Sequence, residues 1–177
     1  GYEAADREKS IRDQRWIIEH ATLIRTDQME RFARLGVLVA AQFQPYRGRP
    51  GPDEAVPMRE MLDRGLIVSS GSDWPGSTNN PFVPFYFYVT RKTEDGRVRG
   101  AAQKITREEA LRVATINNAY MTWDEKIKGS IEPDKLADFL ILSDDILTVP
   151  EEQIRSIRPL ATYVGARKVF SLEGGGF

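Results

Sequence analysis

The chain has 177 residues, 41% of them hydrophobic, and its 25 basic against 26 acidic side chains leave a formal charge of −1. That length suffices for one domain, or for a domain and a small appendage, with a core that needs no covalent staples. The balanced charge leaves no footprint for nucleic acid or an anionic membrane, the absence of cysteine excludes disulfides, thiolate nucleophiles and cysteine-type zinc sites, and no run approaches the roughly 20 apolar residues of a membrane span; a soluble, cytoplasmic protein is the expectation.

Residues 1–10 are charged with Tyr2, Ala4 and Ala5 interspersed, which reads as the end of a helix. Trp16, Ile17 and Ile18 then form a short strand-like run that closes on Glu19 and His20, the only histidine in the sequence. A lone histidine is more often a core residue than a functional one, and its place at the end of a predicted strand raises it above that default. Thr26 is a candidate N-cap, Met29, Phe32, Ala33 and Leu35 form a helical apolar face, and Gly36 stands where a left-handed residue would end the helix. Residues 37–41 are a second buried strand, closing on Gln42, Gln44 and Pro45, and residues 47–53 (RGRPGPD) are loop. Met58, Met61 and Leu62 mark a helix that stops at Gly65, before a third strand over residues 66–70. This is a repeated strand-and-helix unit of the length found in parallel sheets.

The third strand organises the reading. Residues 66–75, LIVSSGSDWP, run from an apolar stretch into a carboxylate followed by Trp74 and Pro75. A short apolar run bounded by turn residues predicts a strand covered on both faces, and Asp73 falls at its carboxyl end. Ligands bind at that end of parallel α/β sheets, because the loops there vary while the strands hold position. Taken alone, an aspartate in a turn reads as a cap. Here three strands deliver His20, Gln42 with Gln44, and Asp73 toward one edge.

Residues 76–100 resemble an insertion dense in aromatics, with Phe82, Phe85, Tyr86, Phe87 and Tyr88 following Pro81 and flanking Pro84. A loop leading into a short helix is predicted, its rings either packing the scaffold or lining a pocket. Residues 106–109 (TREE) form a capping box for a helix with Ala110, Leu111, Val113 and Ala114 on its apolar side. Beyond Trp123 the pattern changes: a strand or turn over residues 127–131 with Gly129, a turn over 132–135, a compact strand over residues 138–142, a polar stretch over 144–158, and a hairpin around Gly165. This predicts a small β appendage with a loose tail at residues 174–176.

RWIIEHATLI (residues 15–24), Gln44 with Pro45, GSDWP (71–75), Asn80 with Pro81, LRVATINNAY (111–120), GSIEPDKLADFLIL (129–142) and TYVGARKVF (162–170) together resemble, in order and over nearly the whole chain, the carboxy-terminal part of the amidohydrolase superfamily. The branch is amidohydrolase family 3, metal-dependent hydrolases with a TIM-barrel catalytic domain and a small β-sandwich domain. The resemblance implies an α/β fold with about the last three strand-and-helix units of a TIM barrel in residues 1–122, and part of the β-sandwich in residues 123–177. It matches His20 to the histidine that ends barrel strand six and Asp73 to the aspartate after strand eight, both as catalytic residues and as ligands of a divalent metal, zinc in the first instance. A carboxylate can hold such an ion and accept a proton from the water it activates, and an imidazole can ligate or donate a hydrogen bond.

The family pattern also needs a His-x-His pair, a bridging acidic or carboxylated lysine group and a further histidine from earlier strands, none of which this sequence contains. A TIM barrel takes about 250 residues and eight strands, so the expectation is a fragment with an incomplete site, in which Asp134 replaces the glycine usual in its turn. The implied activity is hydrolysis of amide-type C–N bonds in a small-molecule substrate; the alternative is a non-catalytic binding or scaffold domain that keeps the fold. Bare edges on the strands around Ile17 and Ile67 predict self-association or pairing with an amino-terminal half.

Overall fold

In a computed structural model of the chain, which describes residues 1–48 and 51–172, the three apolar runs form one parallel sheet. Its strands are β1 (Ile17–His20), β2 (Leu38–Gln42) and β3 (Val68–Gly71), in that spatial order. Helix α1 (Tyr2–Glu8) precedes β1, α2 (Thr26–Leu35) connects β1 to β2, and α3 (Met58–Asp63) connects β2 to β3. The helix stops are where the sequence predicts them: Gly36 ends α2 at φ +68° and Gly65 follows α3 at φ +74°, both in the left-handed region that glycine enters without steric cost. Helix α2 begins at Thr26, one residue before an N-cap at Thr26 would allow; Gln28 Oε1 instead accepts from the Arg25 backbone amide at 3.0 Å.

Paired residues of a parallel sheet share a face. Ile18, Val39 and Val68 are paired across the sheet; Val39 and Val68 are wholly buried in the principal core, and the partly buried Ile18 packs against it. The aromatic stretch becomes α4 (Phe82–Thr90), with Pro81 at its N-cap. Phe82, Phe85, Tyr86, Phe87 and Tyr88 are all buried in the same core, so these rings pack the scaffold. Helix α5 (Arg107–Ala114) opens with the predicted capping box: the Glu109 amide donates to Thr106 Oγ1 at 3.1 Å and the Thr106 amide to Glu109 Oε2 at 2.8 Å. A break at Thr115 separates it from α6 (Ile116–Met121).

The outer edge of β3 is occupied. Asn117 Nδ2 donates to Val68 O at 2.8 Å and Asn118 Nδ2 to Ser70 O at 3.4 Å, so α6 supplies side-chain donors to an edge expected to be bare. On the outer side of the sheet's other edge, the Tyr2 hydroxyl donates to Ile17 O at 3.0 Å.

The second sheet is antiparallel: β4 (Phe139–Leu142), β5 (Pro159–Val164) and β6 (Arg167–Ser171), with β5 central. Gly165 and Ala166 both have positive φ in the β5–β6 turn, the signature of a tight hairpin. Asp134 lies at φ +68°, a conformation that aspartate tolerates better than most residues, which accounts for its use in place of glycine. Residues 144–158 differ from the polar stretch expected. They carry Ile146, Val149, Ile154 and Ile157 into the principal core, with a 3-10 turn at Glu151–Ser156 packed against α4. Their spacing of three, five and three residues would suit a helical face, but Pro150 interrupts it and the segment forms only a 3-10 turn, so the dense polar residues between them hide them from pattern reading. The predicted loose tail falls on residues 174–176, outside the described residues.

Candidate active site at the carboxyl edge of the parallel sheet

The strand register sets the site. His20 pairs with Ala41, and Ala41 with Ser70, so the three strands end level with one another. Asp73 follows two residues after the end of β3. Both predicted site residues are exposed, and both are non-glycine residues in the left-handed region, His20 at φ +68° and Asp73 at φ +59°. Ala21 joins them at φ +43°. Such conformations cost free energy and gather where a chain must aim a side chain out of a regular element; here they turn the backbone at the end of β1 and just beyond β3.

His20 lines a cavity of about 220 Å³ with Thr22, Gln44, Ala55 and Arg99. Asp73 lines a neighbouring, smaller depression with Gln42, Gln44, Arg47, Ser72 and Gly76. The two candidate residues therefore face adjacent hollows, with Gln44 in the wall of each. A hydrogen-bonded chain crosses the divide: the Thr22 hydroxyl donates to Gln44 Oε1 at 3.1 Å, and Gln44 Nε2 donates to Gln42 Oε1 at 2.6 Å. Gly76 lies hard against the aspartate, since a Cβ there would stand 3.0 Å from Asp73 O and 3.5 Å from its Oδ2.

The wall of the His20 cavity is held from behind by Arg91, which is wholly buried. Its guanidinium donates to the carbonyls of Val56 at 2.9 Å, Ala55 at 2.7 Å and Arg99 at 2.8 Å and lies 4.5 Å from the centre of the Phe87 ring. Burial pulls its pKa down to about 10, which still leaves it charged at neutral pH. Arg99 in turn pairs with Asp53 at 3.3 Å and donates to Pro52 O at 3.0 Å. Two arginines thus fix the loop ahead of α3 through its backbone carbonyls. Sequence reasoning placed His20, Gln42, Gln44 and Asp73 on this edge; it missed Thr22, Arg91 and Arg99, whose partners lie far along the chain and leave no local pattern.

An imidazole and a carboxylate are the right donor types for a divalent metal. In number they fall short: among the described residues no group of three or more histidine, cysteine, aspartate or glutamate side chains is arranged to hold an ion.

The Amidohydrolase family matches residues 1–170. Among curated proteins, the chain is 34% identical over 174 residues to the N-substituted formamide deformylase of Arthrobacter pascens, covering 92% of this chain and 32% of that protein. Among solved structures, it superimposes on an uncharacterized metal-dependent hydrolase from Pyrococcus horikoshii with a TM-score of 0.68 at 24% identity, covering 86% of this chain and 34% of that one. An adenosine deaminase from Xanthomonas campestris with bound zinc gives 0.65 at 17% identity, covering 96% and 40%. The chain spans about a third of the length of the curated relatives it matches. With its parallel strands, its level carboxyl edge and this match over nearly its whole length, the chain belongs to the amidohydrolase family.

Proposed function

We propose that the chain is the carboxy-terminal part of a metal-dependent hydrolase that cleaves amide-type C–N bonds. In this reading residues 1–122 are the last three strand-and-helix units of a TIM barrel, and residues 123–177 are part of a β-sandwich. The observation that carries it is the convergence of His20 and Asp73 on the carboxyl edge of a parallel sheet, each with a left-handed backbone, on either side of Gln44. The relative named for deformylating N-substituted formamides supports the C–N bond as the one broken.

His20 and Asp73 supply two of the donors a catalytic ion needs, and the remaining ligands would come from a longer protein. Bound there, a divalent ion, zinc on the precedent of the deaminase structure, would bring the pKa of a water toward neutrality. Asp73, exposed at the edge of its hollow, is the carboxylate that would accept a proton from a water held there. His20 donates a hydrogen bond or ligates through its ring, and Gly76 keeps the space beside Asp73 open. The walls fixed by Arg91 hold the substrate against the edge.

The test is an amide-hydrolysis assay on the full-length protein containing this chain, with N-substituted formamides as the first panel. Activity is expected to vanish on chelation, to return with a divalent ion, and to fall by about 10²-fold or more in Asp73→Asn. Chelator-resistant turnover, or an Asp73→Asn enzyme at wild-type rate, would refute the assignment; a protein inert toward the whole panel under metal-replete conditions favours a scaffold that keeps only the fold.

A further inference from the structure

The polar chain between the two hollows has a direction, and the direction has a chemical consequence. Thr22 Oγ1 donates to Gln44 Oε1 at 3.1 Å, and on the other side of the same amide Gln44 Nε2 donates to Gln42 Oε1 at 2.6 Å. Gln42 is 8% exposed and pairs in register with Gly71, two residues before Asp73. Its carbonyl oxygen is taken by Gln44. Among the described residues its Nε2 has no hydrogen-bond partner, yet it is not sealed off: the one enclosed side-chain polar atom without a partner is Tyr88 Oη. Gln42 thus keeps unpaired N–H donors in a side chain that lines the depression with Asp73.

A primary amide offers both donors and an acceptor. Holding its oxygen toward Gln44 leaves the N–H donors as the part of the amide free to meet a ligand. We infer that Gln42 is the residue that receives the carbonyl oxygen of the substrate amide beside Asp73, with Thr22 and Gln44 as positioning residues that set its orientation. This rests on the reading of the site as one for amide substrates. The chain explains why two glutamines stand so close together at the end of β2: one binds and the other orients. It also accounts for Gln44 lining both hollows, since its side chain bridges Thr22 on the His20 side to Gln42 on the Asp73 side. The Gln42 donors suit an acceptor such as the carbonyl of a tertiary amide, while the Asp73 carboxylate in the same depression takes donors and cations.

The experiment needs no turnover and so stands apart from the hydrolysis assay. The 15N-labelled chain is titrated with N,N-dimethylformamide, a neutral amide with a carbonyl acceptor and no N–H, and separately with methylammonium, which only donates. Saturable shifts are read at the backbone amides of Gly71, Ser72 and Asp73 and at the Gln42 side-chain Nε2 group. The expected result is binding of dimethylformamide, weakened about fivefold or more, as for one lost hydrogen bond, in Gln42→Glu. That variant keeps an oxygen to accept from Gln44 but has no donor, so it should gain methylammonium binding instead. Thr22→Val should weaken dimethylformamide binding and Thr22→Ser should restore it, with unchanged spectra elsewhere confirming the fold. Dimethylformamide binding unchanged in Gln42→Glu, or no dimethylformamide response at residues 71–73, would overturn the inference while leaving the hydrolase reading to its own assay; hydrolysis lost with dimethylformamide binding intact would do the reverse.

Discussion

The two sheets of this molecule handle apolar surface in opposite ways. In the parallel sheet Val39, Ala41 and Val68 are fully enclosed, with α4 and its aromatic rings completing the core. In the antiparallel sheet Leu140 pairs with Thr162 and Thr162 with Phe170, and this face leaves Leu140 46% and Phe170 42% exposed. On the opposite face Phe139 and Tyr163 stack with ring centres 4.6 Å apart. The difference separates support from function: every residue lining the two hollows falls between His20 and Arg99, so the candidate site belongs to the enclosed sheet alone. Rigid packing beneath a strand end holds loop residues in place, and the exposed sheet adds nothing to that edge.

The sharpest way to break this contrast is to delete one ring from each part. Phe87, wholly buried, should cost about 3–5 kcal/mol of folding stability when changed to alanine, whereas Phe170→Ala should cost about 1 kcal/mol or less. Urea unfolding of the two variants measures both. Equal costs would mean that the antiparallel sheet is as tightly packed as the parallel one, and that the division of labour drawn here is wrong.

How much of this was legible beforehand follows from the same contrast. The parallel strands announce themselves as short apolar runs because both faces are covered, and the glycines at 36 and 65 mark their approach; His20 and Asp73 could therefore be placed at strand ends by counting. The capping box at Thr106 and the turn at Gly165 were legible because their chemistry is local. Arg91 was not, since a guanidinium that bonds carbonyls at Ala55, Val56 and Arg99 has no signature near position 91. Ile146, Val149, Ile154 and Ile157 were read as part of a polar stretch, because they are sparse among charged residues and Pro150 breaks the segment before it can form a regular helix. The direction of the Thr22, Gln44 and Gln42 chain required coordinates.

A smaller effect concerns the link between β1 and the segment after α6. Arg15 stacks between Tyr120 and Trp123, 3.6 and 3.8 Å from their ring centres, and pairs with Glu125 at 2.7 Å. Hydrogen bonding from Arg15 is the main cause that holds the Glu125 carboxyl down to about 2 from an ordinary value of 4.5. A depressed carboxylate contributes stability that is fully present above the unfolded-state pKa and is lost as pH falls toward the folded one. The acid limb between about pH 4.5 and 2 should therefore be shallower in Glu125→Gln than in the wild-type chain, as followed by circular dichroism during acid titration. Because the pair is partly covered, with its side chains 12% and 23% exposed, salt should screen it less than a fully exposed pair.

The central claim is that His20 and Asp73 serve one ligand-binding edge, and paramagnetic broadening tests it most directly. Manganese(II) titrated into the 15N-labelled chain should bind weakly, in keeping with two donors, and should broaden the amides of residues 19–22, 42–44 and 71–76 together at the same metal concentration, with the effect gone in Asp73→Ala. Broadening centred on the exposed acidic pair Glu151 and Glu152, or confined to only one of the two strand ends, would contradict the account.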